Sequence, residues 1–203
     1  MAKLADYHIK VRPGTNVAVL NMMLYFIVKS KLYKEDFILS RTEGFESFLK
    51  GIEKLDIDHL AKVAGVDKQK VKEAAIAYAT AKNSMEFHGL GVTEQEQGSK
   101  TVMLIADLAM ITGNIGRKGV GVNPLRGQNN VQGAADMGCQ PHQGAGYFEV
   151  SDKKNQKFYS EKYGVTHPTK AGLKIPQMFD AACLLYTSPS PRDRSLPRMP
   201  SSA

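Results

Sequence analysis

TGNIGRKGVGVNPLRGQNNVQG, residues 112–133, decides how the rest of the chain is read. Six of its 22 residues are glycine, at 113, 116, 119, 121, 127 and 133. Glycine tolerates a positive φ and lets a backbone approach a ligand closely. Four primary amides, Gln128, Asn129, Asn130 and Gln132, crowd its end. An amide offers donors and an acceptor together, which suits the edge of a heterocycle. Among them stands Arg126, a fixed cation whose planar fork matches a carboxylate or phosphate. The pattern points to a binding loop for a polar ring system that carries anionic groups. The competing reading is a mobile Gly/Asn linker, but linkers are rarely flanked so tightly by apolar helical segments.

Upstream of this run, residues 99–111 read as a long apolar helix and residues 85–90 as a buried strand ending in Gly89-Leu90-Gly91. Strand, glycine turn and helix form the unit with which α/β proteins present ligands at strand ends. Gly89, Leu90, Gly91, Val92 and Thr93 are therefore candidate ligand-binding residues. A GxG alone serves as a plain turn just as well; its pairing with the downstream run is what raises it. His88 precedes the turn, where it could line a pocket.

Further out, alternation over residues 7–11 predicts a short strand that ends in the turn Arg12-Pro13-Gly14-Thr15. Thr15 is placed to cap a helix over 16–31. Shorter helices are expected over 34–40, 45–55 and 57–64. Asp67 caps a helix over 68–81 with Val71, Ala75, Tyr78 and Ala79 on one face. Ala61, Gly65 and Val71 fall at helix-turn-helix offsets, so DNA binding by a basic chain is a rival reading. The same spacing serves any tight helix pair, and the second helix turns acidic at Glu73. Beyond Gly133 the chain reads as loop-rich and basic, with Lys153, Lys154 and Lys157, and shows no regular pattern.

Composition narrows the function classes. The chain has 203 residues, 42% hydrophobic and 23% charged, as in an ordinary soluble globular protein. Its two cysteines, Cys139 and Cys183, are too few for a disulfide scaffold or a cysteine-only metal site. The five histidines form no HxH, HExxH or HxxxH pair, so no metal-ligating residue is assigned. Asp136 and Glu94 lie near the two loops without a carboxylate partner for acid/base work. No activated Ser, Cys or Lys nucleophile is recognisable. Residues 17–28 are strongly apolar but short and broken by Asn21, which suits a buried helix better than a membrane span. The opening MAKLADYHIK has no apolar signal core, which favours a cytoplasmic location only weakly and leaves the compartment open. The last residues, LYTSPSPRDRSLPRMPSSA from 185, contribute two of the seven net positive charges. They are rich in Pro and Ser, read as disordered, and resemble a translated sequencing adapter. The expected organisation is a catalytic region over 1–182 and an artefactual tail over 183–203.

Three segments carry a family resemblance. GLGVTEQEQG at 89–98, LAMITGNIGRKGVGVNPLRGQNNVQGAADMG at 108–138 and ILSRTEGFE at 38–46 resemble the catalytic subunit of molybdopterin-dependent formate dehydrogenases. ADYHIKVRPGTNVAVLN, from residue 5, is similar in its Pro-Gly-Thr turn. RGQNNVQG marks formate dehydrogenases within the wider family, whose nitrate reductase members share only the glycine run. The resemblance implies an α/β fold, part of a multi-domain molybdopterin oxidoreductase built around two pterin guanine dinucleotides on molybdenum or tungsten. It implies that Gly89, Leu90, Gly91, Val92, Thr93 and Gln128 contact cofactor, with Pro13, Gly14 and Thr15 near a nucleotide end. It implies that Arg126 binds formate beside the metal. It implies oxidation of formate to CO2 or the reverse, with electrons leaving through iron–sulfur clusters and electron-transfer subunits. No nucleic acid partner is expected. The family's metal-ligating Cys or selenocysteine, the His that follows it and a four-cysteine [4Fe-4S] motif have no counterpart here. Cys139 stands in another motif. The expectation is an inactive internal fragment whose Met1 lies within a longer reading frame. Another molybdopterin oxidoreductase of the nitrate reductase type is the nearest enzymatic alternative.

Overall fold

The computed structural model describes residues 2–185. The expected adapter-like tail falls, from residue 186 onward, outside the described residues. The chain divides into two compact units, Met1–Gly127 and Gln128–Ala203.

The first unit is organised by α1 (Asn16–Lys29), whose sequence NVAVLNMMLYFIVK is apolar on nearly every side. A helix of that kind must be surrounded, and α1 is. Against it pack α3 (Phe45–Glu53), α4 (Ile57–Ala64), α5 (Lys68–Thr80) and α7 (Gly98–Ile111). Met22, Leu24 and Ile27 are fully buried, with Val71 and Ala75 of α5 in the same core. α2 (Glu35–Arg41) packs on α7 and contributes the buried Ile38. Asp56 and Asp67 cap α4 and α5 by accepting from the amides of His59 and Gln69, which satisfies first-turn donors. Between those helices Gly65 adopts φ +68, the left-handed conformation that ends a helix. The helix-turn-helix geometry is real, but the apolar face of α5 is committed to α1.

The predicted strand over 7–11 does not form. A strand needs a pairing edge, and this segment meets a helix end instead. The Arg12 amide donates to the Ala64 carbonyl at 3.0 Å, and its guanidinium donates to the Lys62 carbonyl at 3.0 Å. Arg12 thereby satisfies open carbonyls and complements the dipole at the C-terminus of α4. The Pro13-Gly14 turn is present, and Thr15 does occupy the N-cap position of α1. Its hydroxyl, however, donates backward to the Arg12 carbonyl at 2.7 Å rather than accepting from the helix.

Strand β1 (Met85–His88) pairs in parallel with β2 (Gly121–Pro124), in the register Met85↔Gly121 to His88↔Pro124. A parallel pair requires a crossover connection, supplied by the short helix α6 (Leu90–Thr93) and by α7, which packs on both strands. One face of β1, with His88, is buried, while Met85 and Phe87 on the other face are exposed. The sequence pattern concealed β2, because Gly121-Val122-Asn123-Pro124 shows neither alternation nor an apolar run.

The second unit carries more helix than its composition announced. It holds α8 (Val131–Asp136), a 3-10 turn at Ala145–Tyr147, α9 (Lys153–Tyr163) and α10 (Ile175–Leu185). α9 is polar almost throughout, so periodicity hides it. Its ends were nevertheless legible. Asp152 accepts from the amides of Lys154 and Asn155, and Gly164 closes the helix at φ +67. Tyr159 of α9 is buried, stacked on Tyr163 and His167.

Candidate functional site

The two strand-end loops of the first unit meet. The Leu125 amide donates to the His88 carbonyl at 2.6 Å, extending the pairing one residue past the strands. A Cβ on Gly89 would stand 3.2 Å from the Leu125 carbonyl oxygen, and one on Gly127 would stand 2.6 Å from Cδ1 of Leu90. The loops therefore interlock reciprocally, Gly89 against Leu125 and Leu90 against Gly127. Both glycines are needed for close approach rather than for a left-handed φ. Arg126 lies between the two interlocked positions and is exposed. Around Gly91 an added Cβ would meet nothing within 4 Å. The expected set of Gly89, Leu90, Gly91, Val92, Thr93 and Arg126 is thus brought together at the carboxyl ends of a parallel pair, where α/β folds place ligands.

Three further expected residues of this unit, Pro13, Gly14 and Thr15, stand apart from that set: their turn precedes α1 and sits by the C-terminal end of α4, fixed there by Arg12. Gln128 opens the second unit and is exposed within it.

At the start of β1, the end of the strand away from these loops, lies a polar layer that sequence reasoning missed. Asn114 and Thr112 are buried. The Asn114 carbonyl oxygen accepts from the Ser84 amide at 3.2 Å and from Nη2 of Arg117 at 2.8 Å, and its Nδ2 donates to the Thr112 hydroxyl at 2.9 Å. Arg117 also donates to Asn83. The Ser84 hydroxyl donates to the Tyr78 carbonyl at 2.8 Å. This network locks the turn after α7 to the start of β1. On β1 itself, Tyr78 donates its hydroxyl to Glu86. Burial pushes the Glu86 carboxyl up, opposed by the Tyr78 hydrogen bond. Burial and the Glu86 contact raise the Tyr78 hydroxyl in turn. Oε2 of Glu86 and Nδ1 of His88 are buried without a protein partner. Buried polar atoms ordinarily have partners, so an orphaned His88 nitrogen one residue before Gly89 fits a site completed by a hydrogen-bonding ligand or water.

An open cleft of about 760 Å³ lies between α2 and the turn after α7, lined by Tyr33, Lys34, Asp36, Arg41, Gly113 and Arg117 among others. It is not the strand-end site, and its Arg117 is already committed to Asn83 and Asn114. Among the described residues no group of three His, Cys, Asp or Glu side chains could hold a metal ion. No helix among them is long and apolar enough to cross a membrane.

Comparison with known proteins places the chain among its relatives. The chain is 44% identical over 179 residues to the F420-dependent formate dehydrogenase subunit alpha of Methanocaldococcus jannaschii, covering 88% of this chain and 26% of that protein. It is 42% identical over 178 residues to formate dehydrogenase H of Escherichia coli, covering 87% of this chain and 25% of that protein. It therefore spans about a quarter of the length of these curated relatives. Among solved structures, acetylene hydratase from Pelobacter acetylenicus shares the fold at a TM-score of 0.62 and 20% identity, over 93% of this chain and 28% of that one. The family model described as molybdopterin oxidoreductase matches residues 2–180, and the chain belongs to that family.

Proposed function

We propose that this chain is part of a formate dehydrogenase, in which it binds a molybdopterin cofactor and holds formate. The observation that carries the reading is Arg126, presented between two interlocked loops at the carboxyl ends of β1 and β2. A guanidinium binds a carboxylate through two parallel hydrogen bonds, which fixes orientation as well as charge. Formate offers that carboxylate and little else to grip. Gly89, Leu90, Gly91, Val92 and Thr93 would form the cofactor cradle, with open space at Gly91 and the orphaned Nδ1 of His88 as the features that fit a ring bearing heteroatoms. Gln128 would offer an amide to the cofactor, and Pro13, Gly14 and Thr15 would lie near a nucleotide end. Both of these roles rest on the family resemblance. The bound group, a bis-molybdopterin guanine dinucleotide with molybdenum or tungsten, would supply the redox chemistry and take up the two electrons of the C–H bond. The chain's own part is binding, orientation and electrostatics. Arg126 keeps the formate oxygens in place while the C–H bond is broken, and its fixed charge balances the carboxylate. A [4Fe-4S] cluster and electron-transfer subunits would carry the electrons onward.

The test is to sequence the source DNA on both sides of this reading frame and assay the complete enzyme for formate-dependent reduction of an artificial dye. An in-frame Cys or UGA codon followed by His, a four-cysteine motif upstream and activity with formate are expected. A nitrate reductase-type activity without formate oxidation would overturn the substrate assignment while leaving the family intact.

A further inference from the structure

We infer that Gln132, Asp136 and Tyr147 form a positioning brace for the loop that carries Gln128. Helix α8 has only six residues and buries none of them. A helix that short does not hold its shape alone in water, and α8 has no side-chain cap. Something outside it must fix it. Gln132 and Asp136 are four residues apart and so share one face of the helix. Nε2 of Gln132 donates to Oδ1 of Asp136 at 3.0 Å and approaches the Tyr147 hydroxyl at 2.6 Å, while that hydroxyl donates to the same Asp136 oxygen at 2.6 Å. These hydrogen bonds, Tyr147 first and Gln132 second, hold the Asp136 carboxyl below its ordinary value.

Tyr147 is itself held in an uncommon conformation. Its φ is +65, directly after Gly146 at +76. An aromatic residue in the left-handed region costs free energy and persists only where its surroundings fix it. The Gly144 amide donates to the Phe148 carbonyl at 2.9 Å, and the Tyr147 amide to the Gly144 carbonyl at 3.1 Å, closing a tight loop. The buried Tyr159 donates its hydroxyl to the Ala145 carbonyl, which ties that loop to α9. On the other side, a Cβ at Gly138, just past α8, would stand 2.5 Å from the Ala145 nitrogen. Two backbones therefore press together where α8 ends. At its start, the carbonyl of Asn130 accepts from the Ala134 amide at 3.0 Å, and the Asn130 side chain lies where a Cβ on Gly133 would stand, 2.3 Å from its oxygen. Asn130, two residues after Gln128, is thus anchored to α8, α8 to Tyr147, and Tyr147 to α9. The brace does not touch substrate. Its consequence for formate rests on the function proposed above.

The experiment is amide hydrogen exchange on the complete enzyme and its Tyr147→Phe and Asp136→Ala variants, with peptides of α1 and α7 as reference. Tyr147→Phe keeps ring and backbone and removes only the hydroxyl. The expected result is exchange roughly ten-fold faster over 128–136 in either variant, no further gain in the double variant, and unchanged α1 and α7. Unchanged exchange at 128–136, or equal acceleration throughout the chain, overturns the brace. A second measurement, on the complete formate-oxidising enzyme, separates the two claims. Tyr147→Phe should lower the molybdopterin content of the enzyme, and formate turnover in proportion, with KM for formate, which Arg126 sets, unchanged. If exchange accelerates but cofactor content stays put, the brace stands and the role given to Gln128 falls.

Discussion

The two ends of the glycine run hold the same kinds of residue in opposite surroundings. Thr112-Gly113-Asn114 with Arg117 and the 126–130 stretch with Arg126 each combine glycine, amide and guanidinium. At the first end Asn114 is buried and satisfied on both its oxygen and its nitrogen, and Arg117 is folded back onto it. That end is a structural lock between α7 and β1. At the second end Arg126 is exposed between two interlocked loops. Residue type therefore does not separate the two ends. What separates them is the burial of their amides: Asn114 is enclosed by the fold, whereas Gln128, Asn129 and Asn130 are exposed.

The comparison can be broken most directly at Arg126. In the complete enzyme, Arg126→Ala should lower kcat/KM for formate by roughly 100- to 1,000-fold, as expected when one partner of a hydrogen-bonded charge pair is removed. Thermal unfolding should move by less than about 0.5 kcal/mol, because the side chain is exposed. A large loss of stability with normal formate kinetics would reverse the assignment. Asn114→Ala should do the opposite. It leaves the Ser84 amide without its acceptor and takes one of several from the Arg117 guanidinium, which costs about 1–3 kcal/mol in chemical denaturation, with KM for formate unchanged in the molecules that remain folded.

Gly127→Ala probes the interlock with a smaller effect. The new Cβ meets the tip of Leu90 at 2.6 Å, a flexible group that shifts at a cost of about 1 kcal/mol. Stability should change little while KM for formate rises several-fold, since the loop bearing Arg126 is displaced. The smallest effect is expected at Glu86, whose carboxyl is raised chiefly by burial. The folded state then binds a proton more tightly than the unfolded state. That contribution is fully present below the ordinary glutamate value and is lost as pH rises through the raised one. Glu86→Gln should flatten the pH dependence of stability in that window, as read by urea titrations at several pH values. An unaltered pH profile would mean that Glu86 is solvated after all.

Much of the first unit was legible in the sequence, for identifiable reasons. α4 was expected over 57–64 and spans Ile57–Ala64, because Asp56 and Gly65 punctuate it chemically at both ends. α1 and α7 announced themselves as apolar runs too long for strands. The strand over 7–11 failed because alternation speaks only to the faces of a segment. Whether a partner edge exists is a matter of where the rest of the chain goes, and here the Arg12 amide found a helix carbonyl. β2 was hidden for the converse reason, since its identity as a strand comes entirely from pairing with β1.

The sequence by itself determined the family, the helices that cap or bury themselves, and the loops able to approach a ligand. All of these are local properties: a glycine's freedom, an aspartate at a helix start, a guanidinium's fork. Only the tertiary structure decided which amides of the run are buried, that the loop after β1 interlocks with the loop after β2, and that a six-residue helix is held by a tyrosine eleven residues beyond its last residue. Those outcomes depend on contacts between residues far apart in the chain, whose closure free energy no local pattern encodes.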